Sequence, residues 1–564
     1  MDPGRDRGRQ PLNESLRWRR AAAWAAGVAV AAVLLFLGYL YQSRQVAAGS
    51  DGASIALQGW ALRHGNLLLH GWTVSDVSFY LTELPQYALI EAVRGLSPDV
   101  VHLAGAMTYV LVLLLAAWLA MSGAGGGQQS DARGRAALGR VLVVAFIMLA
   151  PAPGADYTLL MSPDHYGSTV PVLLAWLAVD RLPVSEGTAR WYRPVAVGLL
   201  LTWGQVSDSL ILVTGVIPIV VAAGSRAGVR FWRRDGGAAD DAWLAVAAII
   251  STGLARAVMA LIRAAGGYQE QPVGTTFSGL GALPHHLALT GQGLLTLFGA
   301  DFFSPQSGPD VAFAALHLVG VAAVAVALVL ALAQLGRGRD LVSPGLAIAI
   351  VFNIVTFVPS LFVQDLKSAR EISAVLPFGA ILAARLLTTH LRPVSPATKT
   401  SHVTSVPRVA TAALAFLAAG VLVFAAELGY QAAQPSAPAQ NQSLADWLVA
   451  RHLTAGLAPD YWVANATTVA SGGRVTIRQV AQGGQTLYFP QPRELNSGWY
   501  TPGRHDPRFV AVNLSRPNAA AYLAAAAHTF GAPAQTLHPA GYTVLVWPVN
   551  LLTKLQGTAP AASG

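Results

Sequence analysis

Eleven apolar runs divide the first 430 residues of this chain, and they leave few folds open to it. A helix of about 20 apolar residues crosses a hydrocarbon core about 30 Å thick. Only 12% of the residues are charged, which excludes an ordinary soluble globule with a polar surface. The pattern predicts an α-helical polytopic membrane protein with about 11 transmembrane helices. The runs lie at about residues 21–41, 100–121, 138–153, 168–182, 194–206, 209–224, 242–263, 310–335, 341–362, 373–390 and 409–429.

The basic residues are distributed unevenly between the two sides of these runs. Six arginines precede residue 21, and the loops on that side carry most of the other lysines and arginines outside the runs. Because positively charged loops stay in the cytoplasm, residues 1–20 are predicted to be cytoplasmic in a multi-pass protein of a bacterial plasma membrane. The net charge of +9 then follows from topology, so we expect the lipid bilayer and no nucleic acid as a partner. The loops assigned to the outer side carry five basic residues, namely Arg44, Arg63, Arg94, Lys367 and Arg370.

The composition changes after the last run. Residues 21–430 form the predicted transmembrane domain, with long outer loops at 42–99 and 264–309. Residues 431–442 form a linker rich in proline, glutamine, alanine and serine, and residues 443–564 have an ordinary mixed composition. Eleven crossings place this last part outside the cytoplasm, and its patterning predicts a small α/β domain. Helices are predicted at 443–453 and 518–528, and strands at 461–469, 474–480, 508–514 and 542–547.

A lone carboxylate, Asp51, lies at the start of a polar, aromatic-flanked loop just after the first run. An aspartate before a helical run commonly caps the free amides of that helix, which here begins at Ala53. A carboxylate at the outer end of a membrane helix is also suited to act as a general base. The two roles are compatible, and the neighbouring aromatic residues Trp60 and Trp72 favour the second.

Two short motifs follow Asp51 in the same loop, and a third lies near the tenth run. The motifs are Ala53 with Gly59-Trp60, Leu62 and Gly65; Phe79-Tyr80 with Leu84-Pro85-Gln86-Tyr87; and Arg370-Glu371-Ile-Ser-Ala-Val-Leu-Pro377-Phe378. Together with Asp51, these residues resemble the polytopic glycosyltransferase C superfamily, in particular its bacterial aminoarabinose transferases and protein O-mannosyltransferases.

The resemblance implies an inverting transfer of a sugar from a polyprenyl-phosphate donor to a lipid, glycan or protein acceptor on the outer face. It gives Asp51 the role of the general base, and the reaction requires cations that hold the departing phosphate. The sequence departs from the superfamily at two positions. Gly52 stands where some relatives have a second acidic residue, and Glu83 stands near a lysine of the aminoarabinose transferases. Glu83 is therefore included among the candidate substrate-binding residues.

A second group of acidic residues lies in the loop after the third run, where the superfamily has its second acidic site. Asp164 is the candidate to assist Asp51, with Asp156 and Asp208 as alternatives, and His165 is included in the substrate site. Asp164 and His165 also open a predicted helix, so a capping role is the alternative. If Asp51 and Asp164 face one cleft, their oxygens would suit a divalent metal such as Mg²⁺ or Mn²⁺.

Three arginines are candidates for holding the phosphate of the donor. Arg256 and Arg263 are seven positions apart, close to two helical turns, so both lie on one face of a helix. Guanidinium groups match the geometry of phosphate oxygens. The alternative is a structural ion pair with a carboxylate such as Asp208, because a charge within the membrane needs a partner. Arg370, in the last outer loop, is the third candidate, and simple exposure to solvent is its alternative.

The sequence thus predicts an integral-membrane glycosyltransferase with Asp51 as its base, and two rival functions remain. A transporter or lipid flippase would also place charges in interrupted membrane helices. It predicts an inverted repeat between two halves, and no repeat stands out in the sequence. A non-catalytic membrane scaffold with a decayed transferase core predicts that Asp51, Arg256 and Arg370 do not converge on one cavity.

Overall fold

The computed structural model describes residues 10–122, 130–182, 191–271, 277–304, 308–335, 340–388 and 406–560. Each of the eleven apolar runs contains a helix within these ranges. The elements of the membrane part are α1 (Gln10–Ser43), α2 (Ser50–Arg63), β1 (Trp72–Val74), α3 (Glu83–Arg94), α4 (Asp99–Met121), α5 (Ser130–Met148), α6 (Asp156–Leu159), α7 (Thr169–Arg181), α8 (Tyr192–Ser207), α9 (Ile217–Trp232), α10 (Ala238–Ala264), β2 (Gln269–Glu270), α11 (Leu283–Leu297), α12 (Gly308–Ala333), α13 (Val342–Phe357), α14 (Val375–Leu387) and α15 (Val406–Ala432).

Within the described residues, six helical segments are long and apolar enough to cross a membrane. They are Ala22–Ser43, Asp99–Met121, Leu212–Trp232, Ala238–Ala264, Gly308–Ala333 and Thr411–Ala432. A seventh crossing results if Gly134–Met148 and Pro153–Leu159, which meet at 80°, form one broken span. Helices α13 and α14 are apolar but shorter. The chain is therefore a multi-pass membrane protein, and the number of eleven crossings stays a prediction.

Helix α14 lies in the interior of the membrane part, and it packs against α4, α5, α12 and α13. Its residues Val375–Leu386 are all buried, as expected for a helix that is apolar on every side. Near its C-terminal end, Arg385 forms ion pairs of 3.1 Å with Asp180 and 3.0 Å with Asp340. These contacts hold α14 in place, and with it the short 3₁₀ helix Leu366–Ile372 that leads into it.

Residues 442–560 form the predicted α/β domain, as far as the structure describes it. Its elements are α16 (Gln442–Ala450), β3 (Ala455–Ala458), α17 (Tyr461–Ala470), β4 (Thr476–Gln479), β5 (Ala481–Gly483), β6 (Thr486–Tyr488), β7 (Leu495–Asn496), β8 (Phe509–Asn513), α18 (Ala519–Phe530), β9 (Gln535–Leu537) and β10 (Tyr542–Val546). Five strands form one sheet in the order β4-β3-β8-β10-β9. Strand β3 is parallel to both of its neighbours, and β10 is antiparallel to both of its own. The predicted strands near 474–480, 508–514 and 542–547 correspond to β4, β8 and β10.

The stretch 461–469, predicted as a strand, is the helix α17, so that prediction was wrong. The carboxylate of Asp460 accepts a hydrogen bond of 3.0 Å from the backbone amide of Trp462 and thereby caps the helix. Helix α17 then packs against both α2 and β4. The cap and these tertiary contacts outweigh the strand preference of the aromatic and β-branched residues in the stretch.

Two of the long loops and the C-terminal domain are joined by a small sheet in the order β2-β1-β7. Thr73 of β1 pairs with Gln269 of β2 on one side and with Leu495 of β7 on the other. Trp72 pairs with Asn496. The same face is closed by α17, which packs on α2. The C-terminal domain is therefore docked directly onto the loop that contains Asp51.

Candidate active site

A cavity of 480 Å³ opens beside the N-terminal end of α2, and several separate parts of the chain line it. Asp51 lies in the first turn of α2 and is partly buried. Asp164 comes from the loop between α6 and α7, and Lys367 comes from the segment that leads into α14. The C-terminal domain contributes Arg516 and Trp462. The cavity thus brings two carboxylates and two cations together from distant positions in the sequence.

Asp51 is held by a tyrosine of the C-terminal domain. The hydroxyl of Tyr461 lies 2.8 Å from Oδ1 of Asp51 and also contacts Oε2 of Glu494. A single hydroxyl hydrogen serves only one carboxylate at a time. Burial and, after it, the nearby charge of Asp51 together raise the pKa of Glu494 to about 7. A protonated Glu494 can therefore donate to Tyr461 while Tyr461 donates to Asp51.

Gly52 allows the close packing that brings the two acidic residues to one cavity. A Cβ at this position would lie 2.7 Å from Cγ2 of Val101 and 2.9 Å from the carbonyl oxygen of Ser162. Both distances are below normal van der Waals contact, so α2 lies directly against α4 and the loop before α7. A second acidic side chain beside Asp51 has no space in this arrangement.

Asp164 is buried and faces several charged groups. Burial raises the pKa of Asp164 well above its usual range, whereas Arg370 and His165 oppose this effect and Asp51 adds to it. Nη1 of Arg370 lies 4.0 Å from Oδ1 of Asp164. The side chain of Arg370 remains 40% exposed. A guanidinium that is both near the cavity and open to solvent can interact with an anionic ligand as well as with the carboxylate.

His165 lies between two carboxylates behind the cavity. Its Nδ1 is 2.8 Å from Oδ2 of Asp208, and its Nε2 is 3.0 Å from Oε2 of Glu371. Burial lowers the pKa of His165, but the two carboxylates outweigh it and hold that pKa well above its usual value. Ser168 donates a further hydrogen bond of 2.5 Å to Asp208. Glu371 also lies 3.5 Å from Nε of Arg370, so an ion-pair chain leads from the cavity to Asp208.

Glu83 and Asp156 are buried but do not line the cavity. A Cβ at Gly167 would lie 2.0 Å from Oε1 of Glu83, so the Glu83 carboxyl lies against the backbone of the loop that contains His165. Burial raises the pKa of Glu83 to about 8, and the charge of Asp208 adds to the rise. Asp156 accepts a hydrogen bond of 2.8 Å from Gln42 and so joins α6 to α1.

Arg256 and Arg263 lie on α10, exposed and away from the cavity. Nε of Arg263 donates to the carbonyl oxygen of Met259 one turn earlier, at 3.3 Å. Helical spacing does place the two arginines near each other, but spacing alone does not indicate which side of the helix faces a cavity. Arg370 therefore lies beside the acidic residues, whereas Arg256 and Arg263 lie apart from them.

Four residues of this region were not singled out from the sequence, namely Lys367, Tyr461, Glu494 and Arg516. Lys367 carried a usable signal, because it lies three positions before Arg370 in the same loop of a chain with few lysines. Its Nζ lies 4.6 Å from the centre of the Tyr157 ring. The other three residues belong to the C-terminal domain and reach the cavity only through its docking.

Asp51 and Asp164 offer carboxylate oxygens of the kind that Mg²⁺ and Mn²⁺ prefer. The described residues contain no group of three or more histidine, aspartate and glutamate side chains arranged to hold a metal ion. A divalent metal at this cavity therefore stays a prediction.

The chain is similar in structure to ArnT from Cupriavidus metallidurans, whose crystal structure was solved with bound undecaprenyl phosphate. The TM-score is 0.53 at 13% sequence identity, and the match covers 95% of this chain and 100% of the ArnT chain. No family model matches the sequence, and no curated protein matches it either. The likeness shows that the chain shares the overall fold of ArnT.

Proposed function

We propose that this protein is a membrane glycosyltransferase that moves a sugar from a polyprenyl-phosphate donor to an acceptor on the outer face of the membrane. The cavity that joins Asp51, Asp164 and Lys367 is the observation that carries this proposal. The fold supports it, because ArnT shares that fold and binds undecaprenyl phosphate in its crystal structure. A polyprenyl phosphate combines an anionic head with a long apolar tail, which suits a polar cavity at the end of membrane helices.

The reaction is a displacement at the anomeric carbon. The acceptor hydroxyl attacks from the side opposite the phosphate, so the bond to the sugar forms as the bond to the phosphate oxygen breaks, and the configuration inverts. Asp51 accepts the proton of the acceptor hydroxyl. Lys367 and Arg370 stabilise the negative charge that develops on the departing phosphate. Tyr461 holds the carboxylate of Asp51 toward the cavity.

Sugar transfer by the purified full-length protein tests the proposal. Undecaprenyl phosphate carrying mannose, glucose or aminoarabinose serves as the donor in separate reactions, and release of undecaprenyl phosphate is measured with and without an added membrane extract as the source of acceptor. We expect one donor to react and Asp51→Asn to lower the rate about 100-fold to 10,000-fold.

The matched control is Asp446→Asn, because Asp446 is an exposed aspartate of α16 that lines neither the cavity nor its surroundings. This variant should react at the wild-type rate. Full activity in Asp51→Asn would remove Asp51 from the reaction, and failure of all three donors in the presence of acceptor would argue against polyprenyl-phosphate sugars as substrates.

A further inference from the structure

A second cavity, of 270 Å³, lies between the end of α2, strand β1 and the C-terminal domain. It combines three tryptophans with three basic side chains. These residues are Trp60, Trp72, Trp499, Arg478, Arg504 and His505. None of them lines the cavity that contains Asp51.

Arg478 is buried at this cavity, with only 8% of its surface exposed. Its Nε and Nη1 have no hydrogen-bond partner, and its guanidinium carbon lies 3.7 Å from the centre of the Trp499 ring. Burial lowers the pKa of Arg478 to about 10. The indole Nε1 of Trp72 is also buried without a hydrogen-bond partner. Buried donors without partners are costly, so a ligand rich in acceptor oxygens would satisfy them.

The charged side chains that line the second cavity, Arg478 and Arg504, are both cations. Burial lowers the pKa of His505, and both Arg478 and Arg504 lower it further because they are cations. In the part of the chain that the structure describes, neither Arg478 nor Arg504 forms an ion pair with a carboxylate. The anion that would balance these cations is therefore not supplied by the lining of the cavity.

The aromatic residues of the cavity indicate what kind of anion fits. Trp72 and Trp499 lie with their ring centres 4.9 Å apart and their planes at 77°, an edge-to-face arrangement. Trp60, which is partly buried, adds a third indole ring. Flat aromatic faces pack well against the C–H face of a pyranose ring, whereas guanidinium groups bind carboxylate and phosphate oxygens. Trp60 and Trp499 are only partly buried, so they can offer such a face beside the two arginines, and this combination suits a charged sugar better than a free inorganic anion.

We propose that this second cavity binds the anionic group of an acidic carbohydrate, a sugar that carries a carboxylate or a phosphate. This inference rests on the proposed function, and it identifies the acceptor of the sugar as an acidic glycan. Asp51 and Trp60 lie on the same helix, nine residues apart, which corresponds to about 13 Å at helical rise. Glu494 contacts Tyr461 at the first cavity, and Asn496, two residues later, lines the second. An acceptor of two or three sugar units is long enough to reach both cavities.

Direct binding to the full-length protein in detergent tests the proposal without any lipid donor. Trigalacturonic acid presents carboxylates, glucose 6-phosphate presents a phosphate, and maltotriose is the neutral control. We expect one of the two charged ligands to bind at least about tenfold more tightly than maltotriose, to lose affinity with added salt, and to quench tryptophan fluorescence.

Arg478→Gln and Arg504→Gln should each weaken binding of that ligand about tenfold. Arg504 is exposed, so its substitution tests the cavity even if Arg478→Gln fails to fold. Arg451→Gln is the matched control, because Arg451 is an exposed arginine of the same domain outside both cavities. Equal binding of charged and neutral ligands, or equal binding by Arg504→Gln and wild type, would overturn the inference. Specific binding without sugar transfer would instead count against the proposed function alone.

Discussion

The hydroxyl of Tyr461 lies 2.8 Å from Oδ1 of Asp51, although 410 positions separate the two residues in the sequence. This contact joins the C-terminal domain to the carboxylate proposed as the general base. The domain is therefore part of the candidate active site, because it supplies the side chain that orients Asp51.

Replacing Tyr461 by phenylalanine removes this hydrogen bond and keeps the ring. We expect kcat to fall about tenfold while KM for the lipid donor changes little, because the hydroxyl orients Asp51 and does not touch the donor. Steady-state kinetics measure both quantities. Tyr522→Phe, on α18 of the same domain, should retain wild-type kinetics, and an unchanged kcat in Tyr461→Phe would show that the contact has no part in turnover.

Replacing Glu494 by glutamine changes how stability depends on pH. The pKa of Glu494 is raised from 4.5 to about 7 in the folded protein, so the folded state holds its proton more tightly than the unfolded state does. Wild-type stability should fall as the pH rises from about 4.5 to about 7 and then level off. At pH 8 the glutamine variant should be more stable by up to about 3 kcal/mol, whereas at pH 4.5 the two proteins should match. Thermal melting at both pH values checks this, and an equal difference at the two values would contradict it.

Replacing Lys367 by glutamine removes a cation from the mouth of the cavity. We expect kcat/KM for the polyprenyl-phosphate sugar to fall about tenfold, because a charged hydrogen bond to the phosphate is lost. Lys554→Gln is the control, since Lys554 lies in the C-terminal domain and donates to the carbonyl oxygen of Phe530. Identical kinetics in the two variants would mean that another cation holds the phosphate.

Replacing Gly52 by alanine forces a methyl group against Val101 and the backbone of Ser162. We expect a loss of about 1–3 kcal/mol in stability and a lower rate, because α2 must move and take Asp51 with it. Gly27→Ala is the control, since a Cβ at Gly27 meets nothing within 4 Å. Melting temperature and transfer rate are both measured, and a Gly52→Ala protein with wild-type values would show that the packing is looser than these distances require.

Replacing His165 by glutamine leaves Asp208 and Glu371 buried without their shared cation. Removal of one partner from a buried ion pair costs about 3–5 kcal/mol, so the melting temperature should fall clearly. The loss should shrink as the pH falls, because buried carboxylates that have lost their cation take up protons above their usual pKa. His285→Gln, on the exposed side of α11, is the control. If the double variant His165→Gln with Asp208→Asn is no more stable than the single variant, the ion pair is not the cause.

The membrane fold was largely predictable, because apolar runs such as 100–121 and 310–335 have the length and composition of a helix that spans a bilayer. The C-terminal α/β class was also predictable from the β-rich runs at 508–514 and 542–547. Stretch 461–469 was predicted wrongly, because its helical state depends on the cap at Asp460 and on contact with α2. The local pattern of residues does not indicate such tertiary contacts.

The candidate site was predictable only in part. Asp51, Asp164 and Arg370 lie in separate segments of the chain, and the structure places them close together. Arg256 was chosen for its unusual position within an apolar run, and the structure places it on the exposed side of α10. Tyr461 had no signal of its own, since nothing in the sequence indicates that a residue of the last domain returns to the loop after the first helix.

The small sheet β2-β1-β7 is a second connection between the two domains, in addition to the covalent one. The chain runs from α15 to α16 through a single short segment, but β7 is also bound to β1 by backbone pairing and α17 rests on α2. Cutting that segment would leave two fragments that already recognise each other. We therefore expect the two parts, expressed as separate polypeptides, to associate with each other and form the same fold.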